Sequence, residues 1–134
     1  MILVYSPKGK QFKPRKFLKL AEGLILDEDY EKPARIRTAV GRAYYASHLF
    51  LKEKMQQAGW QIPEDHSVHN FIINELLETE VAHIGSKLDH LLQKRRDADY
   101  YMDSLLDISE GKYCIQVSQE IIAFMEQYPL RRTP

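Results

Sequence analysis

The sequence predicts an all-α fold, an antiparallel bundle of about five helices, and three observations predict it. Apolar residues recur at i, i+3 and i+4 in five stretches, no stretch alternates as a strand does, and the connectors are short. A length of 134 residues suits one compact domain, so residues 1–134 are expected to form a single unit. Hydrophobic residues at 44% against 28% charged supply a core and argue against disorder.

Residues 1–13 read as an irregular basic segment. The first helix follows in "KPRKFLKLAEGLILDEDY", where Pro14 suits a first turn and Phe17, Leu20, Ala21, Leu24 and Ile25 share helical spacing. A longer second helix begins near Pro33, with Ile36, Ala39, Val40, Ala43, Ala46, Ser47 and Phe50 on one face. The small residues there let another helix approach closely, and Gly59 stops the helix. "QIPEDHS" is a loop in which Asp65 or Ser67 can cap a third helix carrying Val68, Phe71, Ile72 and Leu76. A break or kink is expected near Gly85, and the fourth helix then runs to about Leu106. "DISEGK" is a connector with Gly111 as hinge. The last helix aligns Tyr113, Val117, Ile121, Phe124 and Tyr128, and Pro129 ends it. Ile115 and Ile122 fall on its other side, a second apolar ridge that points to a partner subunit.

Charge narrows the function only a little. Lys+Arg and Asp+Glu balance at 19 each, so the total gives no reason to expect nucleic acid or a membrane. The first 20 residues nevertheless carry Lys8, Lys10, Lys13, Arg15, Lys16 and Lys19 with no acid, either a solvated end or an arm for phosphate. One cysteine, Cys114, excludes an internal disulfide and fits a reducing compartment. Its apolar neighbours make it a buried thiol rather than a nucleophile. "MILVYSPKGKQF" is not a signal peptide and no run is long enough to span a bilayer, so a cytoplasmic protein is expected.

Two patterns could carry chemistry. In "HLLQKRRDADYYM", Ile84, Leu88, Leu91, Ala98 and Met102 form one apolar stripe, and Arg95 lands in its middle with Asp99 one turn on. Each buried charge needs a partner. At i, i+4 the two can reach one another, and Arg96 can reach Tyr100. The pair is then either a buried ion pair fixing helix register or a polar centre, between helices or across a dimer axis, where Arg95 meets phosphate. In "GRAYYASH", Arg42 flanks the apolar face, Tyr44 and His48 stand one turn apart, and Tyr45 neighbours His48. His66 and His69 have a spacing that can serve a metal, but no second ligand cluster accompanies them, so neither metal nor cofactor is expected. No phosphate-binding Gly loop is present.

"GRAYYASHLFLKEKM", "DHSVHNFIINEL" and "LLQKRRDADY", in that order, resemble the small stand-alone HEPN proteins. In that branch one helix carries Arg-Ala-Tyr-Tyr-Ala, here Arg42 to Ala46. A His-rich helix start follows, here His66 with His69, and then Arg-x-x-Ala-Asp-Tyr, here Arg95, Ala98, Asp99 and Tyr100. The resemblance implies a helical bundle that dimerises and is often paired with a minimal nucleotidyltransferase in toxin–antitoxin or defence systems. It also implies a contact with nucleotide or RNA. Many relatives are metal-independent RNases with an Arg-x(4–6)-His motif late in the fold, where Arg stabilises phosphate charge and His handles the 2′-OH proton. Here no histidine follows His90, and the one match is Arg42 with His48. On a straight helix those two point about 120° apart. Arg42, His48 and Arg95 are thus the candidates for catalysis. Arg95, Asp99, Tyr100, Arg96, Tyr44, Tyr45, His66 and His69 are the candidates for a polar centre. The leading expectation is an interaction module, with an endoribonuclease and a purely structural bundle as alternatives.

Overall fold

The computed structural model describes residues 11–132, which form five α-helices: α1 (Arg15–Leu26), α2 (Lys32–Gln57), α3 (Val68–Leu77), α4 (Ala82–Tyr100) and α5 (Ile108–Gln127). Residues 11–13 are irregular, and the rest of the basic N-terminal segment lies outside the described residues. The longest helix, α2, is the hub against which α1, α4 and α5 pack, while α3 lies mainly on α4.

The small residues of α2 explain its central place. Ala39, Ala43, Ala46 and Ser47 are fully buried and let α5 close in. At the contact, Ser118 Oγ donates to the Ala43 carbonyl at 2.8 Å and lies 2.6 Å from Ser47 Oγ, so both buried hydroxyls are satisfied. Gly59, with φ of +104°, takes the left-handed conformation that stops the helix. Trp60 folds back beneath it, its indole N–H donating to Glu75.

Several expectations change in α1 and α4. In α1 the buried positions are Leu18, Ala21 and Ile25, whereas Leu20 is exposed. The break before α4 lies at residues 78–81, where Thr79 Oγ1 donates to the Leu76 carbonyl and accepts from Val81 N–H. Gly85 is instead a packing position. A Cβ there would stand 3.2 Å from the Ile73 carbonyl oxygen and from Leu76 Cβ, so glycine lets α3 and α4 approach. The fourth helix stops at Tyr100, about one and a half turns early, and Met102 is exposed rather than part of the stripe.

Arg37 of α2 explains that stop. Its guanidinium donates to the carbonyls of Asp97, Ala98 and Tyr101 at 3.1, 2.9 and 3.1 Å. It reaches the carbonyls of Met102 and Ser104 at 3.4 and 2.7 Å. Of these, the Ala98, Met102 and Ser104 carbonyls have no backbone donor at the helix end, while those of Asp97 and Tyr101 also accept the N–H of Tyr101 and Ser104.

The expected connector around Gly111 is helix. Asp107 caps α5, accepting Glu110 N–H at 2.8 Å, and Gly111 sits in the first turns with a Cβ position only 2.6 Å from Ile25 Cδ1. The second ridge is also corrected, because Ile115 and Ile122 are buried together with Cys114, Val117, Ser118 and Ile121. Tyr113 and Phe124 lie outside the core on the α4–α5 seam, under His90 and His83 at ring-centroid distances of 5.7 and 4.9 Å. Between those pairs, Lys87 bonds Glu120 at 3.0 Å, and beyond His90, Lys94 bonds Glu110 at 3.1 Å. Charge and ring pairs therefore lace two antiparallel helices. Burial pushes the Cys114 thiol up to about 11, which makes it inert at neutral pH.

Candidate functional site

Three helices converge on one polar centre. Tyr44, Tyr45 and His48 come from the middle of α2, His69 from the first turn of α3, and Arg95, Asp99 and Tyr100 from the last turns of α4. The i, i+4 spacing on α2 places the Tyr44 hydroxyl 3.2 Å from His48 Nδ1. The same hydroxyl lies 2.6 Å from His69 Nδ1. A phenol has a single proton, so it donates to one imidazole and accepts the N–H of the other. The rings of His48 and His69 stack at 4.6 Å between centroids, which suits neutral rings.

Electrostatics keep them neutral. Burial first, then His69, Lys52 and Arg95, pull the His48 imidazole down to about 3. His69 shifts the same way through burial and then Arg95, Arg96 and Lys52. Desolvation pushes the Tyr44 phenol upward, so it stays protonated.

The cationic side of the centre is built on Tyr45. The Arg42 guanidinium lies 5.1 Å and that of Arg95 5.2 Å from the Tyr45 ring centroid. Arg42 also lies over Phe17, at 4.9 Å, and Arg95 over Tyr100, at 5.6 Å. Arg95 Nε donates to Asp99 Oδ2 at 3.0 Å, and the two side chains are 15% and 39% exposed. The expected pair forms, but at the rim of the centre and partly exposed rather than buried. Asp99 lies against α2 at Gly41, where a Cβ would stand 3.8 Å from Asp99 Oδ1, an ordinary contact.

The remaining candidates divide. It is Arg95, not Arg96, that meets the Tyr100 ring; Arg96 is half-buried and acts on the centre through its field on Tyr44 and His69. His66 is exposed beside Asp65, away from His69's hydrogen bond with Tyr44. Arg42 and His48 both touch the Tyr45 ring, but Arg42 also lies over Phe17 while His48 is turned to Tyr44 and His69 and is 3% exposed. Among the described residues no three His, Cys, Asp or Glu side chains are grouped to hold a metal ion. Lys52 and Arg37 belong to the centre or its support and had no signal in the sequence, since neither makes a local pattern with its partners, and Phe17 was legible only as an apolar position of the first helix.

Among Arg42, Lys52, Arg95 and Arg96, only Arg95 has a carboxylate partner among the described residues. That is a local excess of positive charge in a chain of zero net charge. A half-open site with guanidiniums held on aromatic faces, beside neutral imidazoles, is one that can receive a phosphate and a planar base.

Fold and centre together define a helical-bundle domain with an interhelical cationic site. The family model of the HEPN domain matches residues 13–128, and the chain belongs to the HEPN family. Comparison with curated proteins and with solved structures finds no match. Among the described residues, no helix is long and apolar enough to cross a membrane.

Proposed function

We propose that this chain is a HEPN module that binds nucleotide or RNA at the Arg95 centre. In this reading it works in the cytoplasm as a homodimer, paired with a minimal nucleotidyltransferase in a toxin–antitoxin or defence system. The observation that carries the binding reading is the pair of guanidiniums, Arg42 and Arg95, held at 5.1 and 5.2 Å from one tyrosine ring. Stacking removes rotamer freedom before a ligand arrives, so the N–H edges are presented at lower entropic cost. Tyr100, 64% exposed, offers a face on which a base can stack. The partner and the paired system are supported by the three HEPN-like patches, Arg42 to Ala46, His66 with His69, and Arg95 to Tyr100.

The test is fluorescence anisotropy with a labelled single-stranded RNA and, separately, a labelled adenine nucleotide. Binding that weakens at least about tenfold in Arg95→Ala supports the reading, and absence of binding of either probe refutes it. Co-purification with a nucleotidyltransferase encoded beside the gene tests the pairing, and a different neighbour would count against it.

One observation favours a second reading, metal-independent RNA cleavage. His69 is half-buried, is kept neutral, and accepts from or donates to Tyr44 at 2.6 Å beside the cation cluster. A neutral imidazole there can take the 2′-OH proton while the 2′ oxygen attacks phosphorus and the bond to the 5′ oxygen breaks. Arg95 then stabilises the developing phosphorane charge. Metal-free cleavage lost in His69→Ala and Arg95→Ala would establish it; cleavage retained in both would exclude it.

A further inference from the structure

The cationic centre does not stop at Arg42. Rings and guanidiniums alternate in succession, Tyr100, Arg95, Tyr45, Arg42 and Phe17, at 5.6, 5.2, 5.1 and 4.9 Å. Phe12 extends the series, its ring centroid 4.7 Å from that of Phe17. The inner rings, Tyr45 and Phe17, are half-buried and already carry guanidiniums. The end rings, Tyr100 and Phe12, are 64% and 53% exposed, so each has surface on which a planar group can stack.

Phe12 opens onto a cleft of about 300 Å³ between the start of α1 and the C-terminal half of α2. Pro14 and Leu49 give it apolar walls, Gln56 offers an amide, and Glu53, which accepts from Gln57, is its acid. Lys52 lines the same cleft, and its charge also acts on His48 and His69, so it stands between the cleft and the centre. The register of α2 explains this continuity. Arg42, Tyr45, Leu49, Lys52 and Gln56 recur three and four residues apart, all half-buried, so one face of the helix carries them over about 21 Å at 1.5 Å per residue. The start of α1 lies along this face and brings Phe12 and Phe17 to it.

We propose that the Phe12 cleft is a base-binding subsite continuous with the Arg95 centre, so that the two together hold one single strand of RNA several nucleotides long. Phosphates meet the guanidinium edges of Arg95 and Arg42 and the ammonium of Lys52. One base stacks on Tyr100, and another enters the cleft against Phe12. Arg42 and Arg95 lie 5.1 and 5.2 Å from the same ring centroid, hence at most about 10 Å apart, within reach of two phosphates of one strand. Stacking is indifferent to base identity, so the track takes strands with little sequence preference. Phe12 precedes residues 13–128, which the HEPN family model matches, and Phe17, Leu49 and Lys52 lie outside the three HEPN-like patches, so the resemblance assigns none of them a role. The subsite rests on the nucleotide or RNA binding proposed above and selects a strand over a mononucleotide.

Anisotropy with a labelled adenine mononucleotide and a labelled eight-nucleotide single-stranded RNA, each on the full chain, tests it. The octamer is expected to bind at least about tenfold more tightly than the mononucleotide. Phe12→Ala is expected to weaken the octamer roughly tenfold while mononucleotide binding, helix content and melting stay unchanged, and Phe12→Trp to keep the octamer affinity. Lys52→Gln is expected to lower the slope of log affinity against log salt for the octamer by about 0.7, the value of one phosphate contact on a single strand. An octamer that binds no tighter than the mononucleotide overturns the track and leaves the Arg95 centre a nucleotide site. Octamer binding that falls in Arg95→Ala but is indifferent to Phe12→Ala overturns the subsite and leaves the centre standing. Mononucleotide binding that falls as far as octamer binding in Phe12→Ala also overturns it, by making Phe12 a support of the centre. A chain that binds neither probe overturns the subsite together with the function it rests on.

Discussion

Nδ1 of His69 lies 2.6 Å from the Tyr44 hydroxyl, a bond between α2 and α3, helices that otherwise touch little. Tyr44 has no exposed surface and also reaches His48 at 3.2 Å. Tyr44→Phe therefore removes the hydroxyl and leaves one imidazole nitrogen without its donor and the N–H of the other imidazole without its acceptor. Chemical denaturation should show a loss of about 1–3 kcal/mol, because an unsatisfied buried donor and acceptor keep their desolvation cost. Unchanged stability would mean that water reaches the rings.

Acid should destabilise the fold through His48. Its folded value is near 3, against about 6.5 when unfolded. Below pH 6.5 the unfolded chain binds a proton that the folded chain refuses, so stability is full above that pH and falls toward pH 3. The expected slope is about 1.4 kcal/mol per pH unit from this group. His48→Phe, if it folds, should flatten the decline between pH 6 and 4 in urea titrations. An equal slope in both proteins would show that carboxylates govern acid unfolding.

Arg37→Met should unravel the end of α4. The variant leaves the carbonyls of Ala98, Met102 and Ser104 without a donor, and those of Asp97 and Tyr101 with only their backbone N–H partners. A loss of about 1–3 kcal/mol is expected, with faster amide exchange confined to residues 97–107. Arg37→Lys should recover little, since one ammonium has three donors and no planar fork. Uniform exchange across the bundle would contradict a local cap.

Gly111→Ala probes a contact between α1 and α5. The new methyl would stand 2.6 Å from Ile25 Cδ1. Overpacking of about 1–3 kcal/mol should exceed the gain of about 1 kcal/mol from replacing a helical glycine. Ile25→Val removes the obstructing atom, so the double variant should be less destabilised than the two single changes summed. Simple additivity would show that Ile25 moves aside freely.

Much of this was legible in the sequence, because periodicity reports burial. The five helices, the buried face of α2 and the buried Cys114 follow from local spacing. So do the Tyr44–His48 and Arg95–Asp99 pairs, each one turn apart on a single helix. What was not legible depends on distant partners. His69 joins Tyr44 from 25 residues away, and Arg37 ends α4 from 60 residues away or more. Gly85 and Gly111 read as breaks because glycine favours them, but here its missing side chain serves close helix packing. Ile115 and Ile122 looked like a free ridge because α5 is covered from several sides, by α1, α2 and α4.

Calorimetric titration of the full chain with a short single-stranded RNA, unmodified and as Arg95→Ala, bears most directly on the Arg95 centre. Binding in the unmodified chain, reduced at least about tenfold by the substitution while helix content and melting are retained, is the predicted result. RNA binding of equal strength in the folded Arg95→Ala chain would contradict the assignment of the site.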